Sequence, residues 1–358
     1  MDLLEDNGRM ILSAIRCALW GEESEELLHV SWVELLRTAE EQTVFGLAFR
    51  AFEYVQPKGI DQDLLFEYIG QSIQIGSGNS LVNERLRDFV GRLNTLRIKF
   101  CIVKGQTVGT CYPEPMLRQV GDIDFWVHPR DVSKCEAYIE EELNCGVQCE
   151  KSEKHVEFLW EDILFEMHYR LASFGVGRDQ RYFDKLIEND SSFAVEIDGV
   201  EVPTLSPTLN ALYIFVHLFH HLIGIGVGLR QFCDWMMWLH RYKDEINRDE
   251  LNYHIFKLGL QKAYRTLGAI LVYDLGLPVS EFPLRITEKD RKRSRNVLKN
   301  VMEMGNFGQN KRVAQSLGLM RSIQTGVRMC IQGFKYFDLA PKRIACRFLK
   351  RMWWYLGK

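Results

Sequence analysis

Two aspartates one residue apart, Asp122 and Asp124, stand in the run Gly121-Asp122-Ile123-Asp124-Phe125-Trp126-Val127. The run has strand character, and strand side chains alternate between faces. Both carboxylates therefore point one way while Ile123 and Phe125 point the other. Oxygen ligands paired like this suit a hard cation such as Mg²⁺. A lone Asp-x-Asp is common by chance, and a third acid gives it weight. In the run from Ile163 to Leu171 the same alternation puts Leu164, Glu166, His168 and Arg170 on one face, with Phe165, Met167 and Tyr169 on the other. A face that mixes Glu, His and Arg has little use as core. Beside the first strand, Glu166 completes a three-carboxylate cluster; away from it, the same face is the exposed side of an edge hairpin.

The neighbouring segments suit an anion. Lys104-Gly105 directly follows a short β-rich run, Lys99 to Val103, and Gly105 lets backbone amides come close to a phosphate. Thr107 or the turn that follows it opens a short helix whose amino end faces the same anion. Arg118 lies on the loop four residues before Asp122. Farther along, His217, His220 and His221 share a helix face at i, i+3 and i+4. Zinc can use that spacing, but no fourth ligand announces itself. His217, with Arg230 and Asp234 from the following helix, reads equally as the lining of a cleft between a helical region and the sheet.

These residues need a scaffold, and the periodicities outline one. Residues 1–97 read as helices: a first ending at Gly21, a second running from Trp32 to Val55 after a capping box of Ser31 and Glu34, and a third from Asp61 with a Gly/Ser interruption near Gly76 to Ser80. Residues 98–205 read as a small α/β unit. It has two strands, one helix between Asp131 and Leu143, a hairpin turning at Glu161-Asp162 and a second turning at Asp198-Gly199. Residues 206–358 return to helices. The apolar stretch from Leu209 to Val227 carries three histidines and two glycines, so it is a buried core helix rather than a membrane span. The fold class is α+β, a small mixed sheet between two helical regions.

Composition bounds the function. The 358 residues are 46% hydrophobic and 26% charged, ordinary globular values that exclude disordered and fibrous classes. Nine cysteines are scattered without a CxxC pair; Cys145 and Cys149 come closest. With the acidic amino terminus, this reads as a reduced, cytoplasmic chain. Net charge is −3, but Arg285 to Lys358 holds 18 Lys and Arg against 4 acids, while the remainder holds 27 against 44. The last residues, Gly333 to Lys358, mix Arg and Lys with Phe, Trp and Tyr. Three readings suit them: a terminal helix docked on the acidic body, an amphipathic helix on anionic lipid at the inner membrane face, or a nucleic-acid surface. The acidic body disfavours the last.

The order of pieces resembles the DNA polymerase β-like nucleotidyltransferase superfamily. It runs Lys104-Gly105, Arg118, Gly121-Asp122-Ile123-Asp124, then Glu166-Met167-His168-Tyr169-Arg170, with His217 and Asp234 in a later helical segment. Within that superfamily it resembles a bacterial group of uncharacterised nucleotidyltransferases often associated with surface-polysaccharide gene clusters. The resemblance runs over roughly residues 40 to 280 and departs at the first motif, where Lys104-Gly105 stands for the usual Gly-Ser or Gly-Gly.

It implies transfer of a nucleoside monophosphate from an NTP such as ATP to a hydroxyl acceptor, with Mg²⁺ or Mn²⁺ as cofactor. Asp122, Asp124 and Glu166 would be the catalytic metal ligands. Lys104, Gly105, Thr107, Arg118, Gly121 and Arg170 would contact nucleotide phosphates, and His168, His217, Arg230 and Asp234 would line the acceptor cleft. A non-catalytic scaffold of the same fold and a toxin-like enzyme modifying RNA are the alternatives.

Overall fold

The computed structural model describes residues 6–58, 60–143, 145, 155–306 and 330–346. Its class is α+β, mostly helical around a small mixed sheet. Strands β1 (Phe100–Val103), β2 (Ile123–Val127), β3 (His155–Trp160) and β4 (Ile163–His168) lie in the order β1-β2-β4-β3. β1 runs antiparallel to β2, β2 parallel to β4, and β4 antiparallel to β3. β3 and β4 join through Glu161 and Asp162, both in the left-handed region at φ 49° and 64°. A two-residue turn of this kind matches the twist of the flanking strands. A second hairpin, β5 (Phe193–Ile197) and β6 (Val200–Thr204), turns at Asp198 and Gly199 in the same way and sits next to β1.

Among the described residues four α-helices precede the sheet: α1 (Asp6–Trp20), α2 (Trp32–Glu41), α3 (Phe45–Val55) and α4 (Gln62–Thr95). Two differ from the sequence reading. The stretch expected as one helix after Ser31 breaks at Gln42 to Val44, with Thr43 at φ 56°. Gln42 explains the break, because its side chain is drawn inward to the carbonyls of Val301 and Met302, 3.3 Å each. Ser31 occupies the N-cap of α2 but makes no side-chain capping bond. The second difference is α4, which runs unbroken through the Gly-Ser-Gly at 76–78 from an N-cap at Asp61, whose carboxylate accepts from the amides of Asp63 and Leu64. The glycines there serve contact: a Cβ on Gly78 would meet Val120 at 3.3 Å. Gly46 on α3 plays the same part, since any Cβ would clash with the Leu117 carbonyl. Both glycines let the loop between residues 112 and 122 lie flat on the helices.

Between the strands stand α5 (Gly105–Gly109), α6 (Val132–Ala137) and α7 (Gly177–Glu188). After them come α8 (Pro207–Leu222), α9 (Leu229–Arg241), α10 (Arg248–Lys257), α11 (Gln261–Tyr273) and α12 (Glu288–Met304). α8 is buried along most of its length, as a core helix. Among the described residues no helix is long and apolar enough to cross a membrane. One apolar core joins the early helices, the sheet and the late helices. At its margin the Trp20 indole donates to the Leu275 carbonyl at 2.7 Å. Part of the basic carboxyl-terminal segment is docked here, with Tyr336, Leu339, Ala340 and Ile344 buried in that core. Arg293 and Lys262 pair with Asp338 at 2.9 Å each. Residues 347–358, the Trp-rich end of the amphipathic stretch, lie outside the described residues, as does Cys149.

One face of the sheet is closed by aromatic packing. Phe89 of α4 meets Phe125 at 4.9 Å and Phe165 at 4.8 Å, and Phe158 stacks on Phe165 at 5.2 Å. All four are buried. Since alternate residues face opposite ways, this packing commits Asp124, Glu166 and His168 to the other face. Truncating Phe89 to Ala leaves a large void under both central strands. Urea unfolding of Phe89→Ala is expected to give a loss of about 3–5 kcal/mol, with the midpoint shifted and the slope nearly unchanged.

Candidate active site

β2 and β4 are adjacent and parallel, with Asp124 in register with Glu166. Asp122 lies just ahead of β2. One carboxylate oxygen from each of Asp122, Asp124 and Glu166 falls in a group whose members all lie within 4.8 Å of one another. Asp124 is the deepest, 3% exposed, and its Oδ1 accepts from Lys104 Nζ at 2.8 Å. The same oxygen lies 2.6 Å from Nε2 of His168, which also reaches Glu166 Oε2 at 3.4 Å. Lys104 comes from the N-cap of α5, at the end of β1, and is held at φ 57°, a costly conformation for a residue with a Cβ. The Thr107 hydroxyl secures this turn by donating to the Lys104 carbonyl at 2.8 Å.

Three carboxylates so close cannot share one charge state. Burial raises Asp124, but Lys104 and His168 outweigh it and hold the group well below the usual carboxylate range. Burial raises Glu166 and Asp124 adds to it, but His168 and Lys104 together leave it lowered. His168 is lowered by burial, yet its hydrogen bonds to Asp124 and Glu166 leave it raised. Asp122 bears the cost: burial first, then Asp124, with Glu166 adding and Lys104 opposing, push it up to about 7. Lys104 and His168 thus face three acids whose free donor atoms are oxygens, the ligands that suit a hard divalent cation.

A second charged network forms the opposite wall. Arg118 grips Asp234 of α9 in a two-pronged pair, Nε to Oδ1 at 2.8 Å and Nη2 to Oδ2 at 2.9 Å. The Tyr112 hydroxyl donates to the same Oδ1 at 2.8 Å. Arg118 and Asp234 are buried, and together they anchor the loop before β2 on α9. Asn79 of α4 holds that loop from the other side, donating to the carbonyls of Met116 and Arg118 at 3.0 and 2.8 Å. Between the walls lies a cavity of about 430 Å³.

Most of the sequence candidates meet in this cavity. Lys104, Gly105, Arg118, Gly121, Asp122, Asp124, Glu166, His217, Arg230 and Asp234 line it. His168 stands behind the carboxylates and Thr107 is buried beneath the Lys104 turn. Arg170 is elsewhere: it lies beyond the end of β4, pairs with Asp184 at 3.5 Å and borders a separate hollow. Strand alternation does not carry past the strand's last residue, His168. The three histidines of α8 also part company, with His217 and His221 on the cavity and His220 against the ring of Phe174 at 5.4 Å. Among the described residues they form no metal-sized group, whereas His155, Glu166 and His168 do. Tyr112, Asn79 and Gln119 were missed. Asn79 and Asn83, four apart on one helix face, were the available signal of a buried polar contact.

The titration of Asp122 has a measurable consequence. Its folded value is raised, so below pH 7 the metal-free protein keeps a proton that a cation must displace, and metal-free stability falls as pH rises from about 4 through 7. Mn²⁺ affinity by calorimetry is expected to climb from pH 6 to pH 8. Proton release, read from the buffer dependence of the heat, is expected at pH 6 and absent at pH 8.5.

A protein-family model described as "Uncharacterised nucleotidyltransferase" matches residues 29–272, more than half of the chain. No curated protein matches it. A solved structure described as an antigenic nucleotidyltransferase-like protein from Paracoccidioides brasiliensis is similar over 54% of this chain and 93% of its own, at 13% identity and a TM-score of 0.33. The matched span runs from α2 into α11 and holds both hairpins and every cavity residue named above, and on it the chain belongs to the family of uncharacterised nucleotidyltransferases.

Proposed function

We propose that this protein transfers a nucleoside monophosphate from a nucleoside triphosphate to a hydroxyl on a small molecule, sugar or protein. The carrying observation is the three-carboxylate group of Asp122, Asp124 and Glu166 at the wall of the cavity, in a chain of this family. Mg²⁺ or Mn²⁺ held by these three would neutralise phosphate charge and acidify the acceptor hydroxyl. The chain's own residues supply the rest. Lys104 and His168 keep Asp124 ionised and fixed. Glu166, less buried, takes the acceptor's proton as the new bond from acceptor oxygen to the α-phosphorus forms and the bond to pyrophosphate breaks. The Arg118–Asp234 pair keeps the Gly121 loop in place, so that the reacting groups are positioned rather than recruited.

One observation favours a second reading, in which the fold binds a nucleotide without turning it over. Lys104 sits on Asp124 where the superfamily places a small residue, and its ammonium occupies an oxygen that a metal would use. Calorimetry with the four ribonucleoside triphosphates, with and without Mg²⁺, separates the readings when joined to turnover. The transferase reading expects metal-dependent binding of a triphosphate, pyrophosphate release with a hydroxyl acceptor, and loss of both in Asp122→Asn/Asp124→Asn. Metal-independent binding that survives the double substitution would leave only the non-catalytic reading.

A further inference from the structure

Three long cations border the cavity, and they are not equivalent. Lys104 is neutralised by Asp124 at 2.8 Å, and Arg118 by both oxygens of Asp234. Arg230, the second residue of α9, has neither kind of partner. Its Nη1 donates to a neutral acceptor, the Gln119 carbonyl, at 3.0 Å, and its buried Nε has no hydrogen-bond partner among the described residues. Among the described residues no carboxylate pairs with it. A guanidinium set into a protein wall without a counter-ion is costly unless an anion arrives to meet it. Burial and the neighbouring Arg118 draw its pKa below the ordinary range, with Asp234, Tyr112 and Asp122 opposing them more weakly.

The helix end beside it is already spent. The amides of Leu229 and Arg230 donate to the side-chain and main-chain oxygens of Gln42 at 3.2 and 3.4 Å, and that of Gly228 to Gln231 at 3.0 Å. The start of α9 therefore offers an anion no free amides from these residues, and the guanidinium is what remains. Gly121, the residue before the carboxylate pair, lies next to it: a Cβ there would be in ordinary contact with Arg230 Nη1, at 3.8 Å. Arg230 thus opens toward the segment that carries Asp122.

Building on the transferase reading above, we infer that Arg230 is the receptor for the polyphosphate tail of the donor nucleotide. The grip on the terminal phosphates lies on α9, and Lys104 belongs with the carboxylates. Such a tail brings tetrahedral phosphate groups, each with several anionic oxygens, to a planar guanidinium that can meet two oxygens at once.

The test uses the full chain with Mn²⁺, the ribonucleoside triphosphate that binds best, its monophosphate, and inorganic tripolyphosphate. Arg230→Gln keeps a donor for the Gln119 carbonyl and removes the charge; Arg230→Lys keeps the charge. Mn²⁺ binding in the absence of nucleotide, followed by electron paramagnetic resonance, reports whether the carboxylates remain assembled. With that signal unchanged, Arg230→Gln is expected to weaken the triphosphate and tripolyphosphate by roughly 10- to 100-fold, the range of a lost charge-assisted contact. The monophosphate should bind as before, and Arg230→Lys should recover part of the loss. Triphosphate affinity that does not change in Arg230→Gln overturns the inference while leaving the transferase reading standing. An equal loss for mono- and triphosphate overturns it too, because the anion would then be the α-phosphate or a group on the acceptor. If the unaltered protein binds neither a triphosphate nor tripolyphosphate, the transferase reading falls and this inference with it. If Arg230→Gln loses the Mn²⁺ signal, Arg230→Lys decides: Mn²⁺ bound normally with triphosphate held better than fivefold below the monophosphate's own Kd supports it, and equal affinities for the two ligands overturn it.

Discussion

Oδ1 of Asp124 receives Lys104 from one side and His168 from the other, and most of the site's geometry follows from keeping that oxygen charged in a buried place. A carboxylate without these partners would take up a proton, and the neighbouring acids would spread apart. Meeting the demand requires three separate strands. β1 must end so that the next residue throws an ammonium back across the sheet, β2 must carry Asp124, and β4 must lie next to β2 to bring His168 and Glu166 into register. The left-handed Lys104 is the local strain that this arrangement accepts.

The rest of the molecule can be understood as holding the loop between β1 and β2 against that cluster. Gly46 and Gly78 remove the side chains that would lift it from α3 and α4. Gln119 caps α3 by accepting from the Phe45 amide at 3.0 Å, and Asn79 takes the backbone of the same loop. Arg118 then ties it to α9 through Asp234. Gln42 links the two helical regions, since it both caps α9 and reaches the end of α12. The early helices are therefore part of the site's frame, and a polar residue at a helix break does what apolar packing alone would leave undirected.

Much of this was legible beforehand. The carboxylate strand, its partner with Glu166, both hairpin turns and the helical flanks carry short-range signals: alternation, left-handed turn residues, caps and helical period. Reading failed where a distant contact overrides a local one. Gln42 looks like an ordinary helix residue until its amide is needed elsewhere, and the glycines of α4 look like a break until they are seen as contact points. Arg170 shares the alternation of β4 only on paper, because the strand stops two residues earlier and the side chain turns to Asp184.

What the sequence alone determined is the set of chemical groups and the local elements that carry them, since side-chain alternation and turn preference depend on nearest neighbours along the chain. Which acid lies deepest, which cation is spent and which left unpaired were decided by tertiary structure alone. Asp124 and Asp122 are two residues apart and differ in charge state because Lys104 and His168 reach one of them more closely. Arg118 and Arg230 are the same residue type and differ because Asp234 faces the first. Those differences arise from distances of a few ångströms between segments twenty or more positions apart, and Coulomb and desolvation energies depend on just such distances.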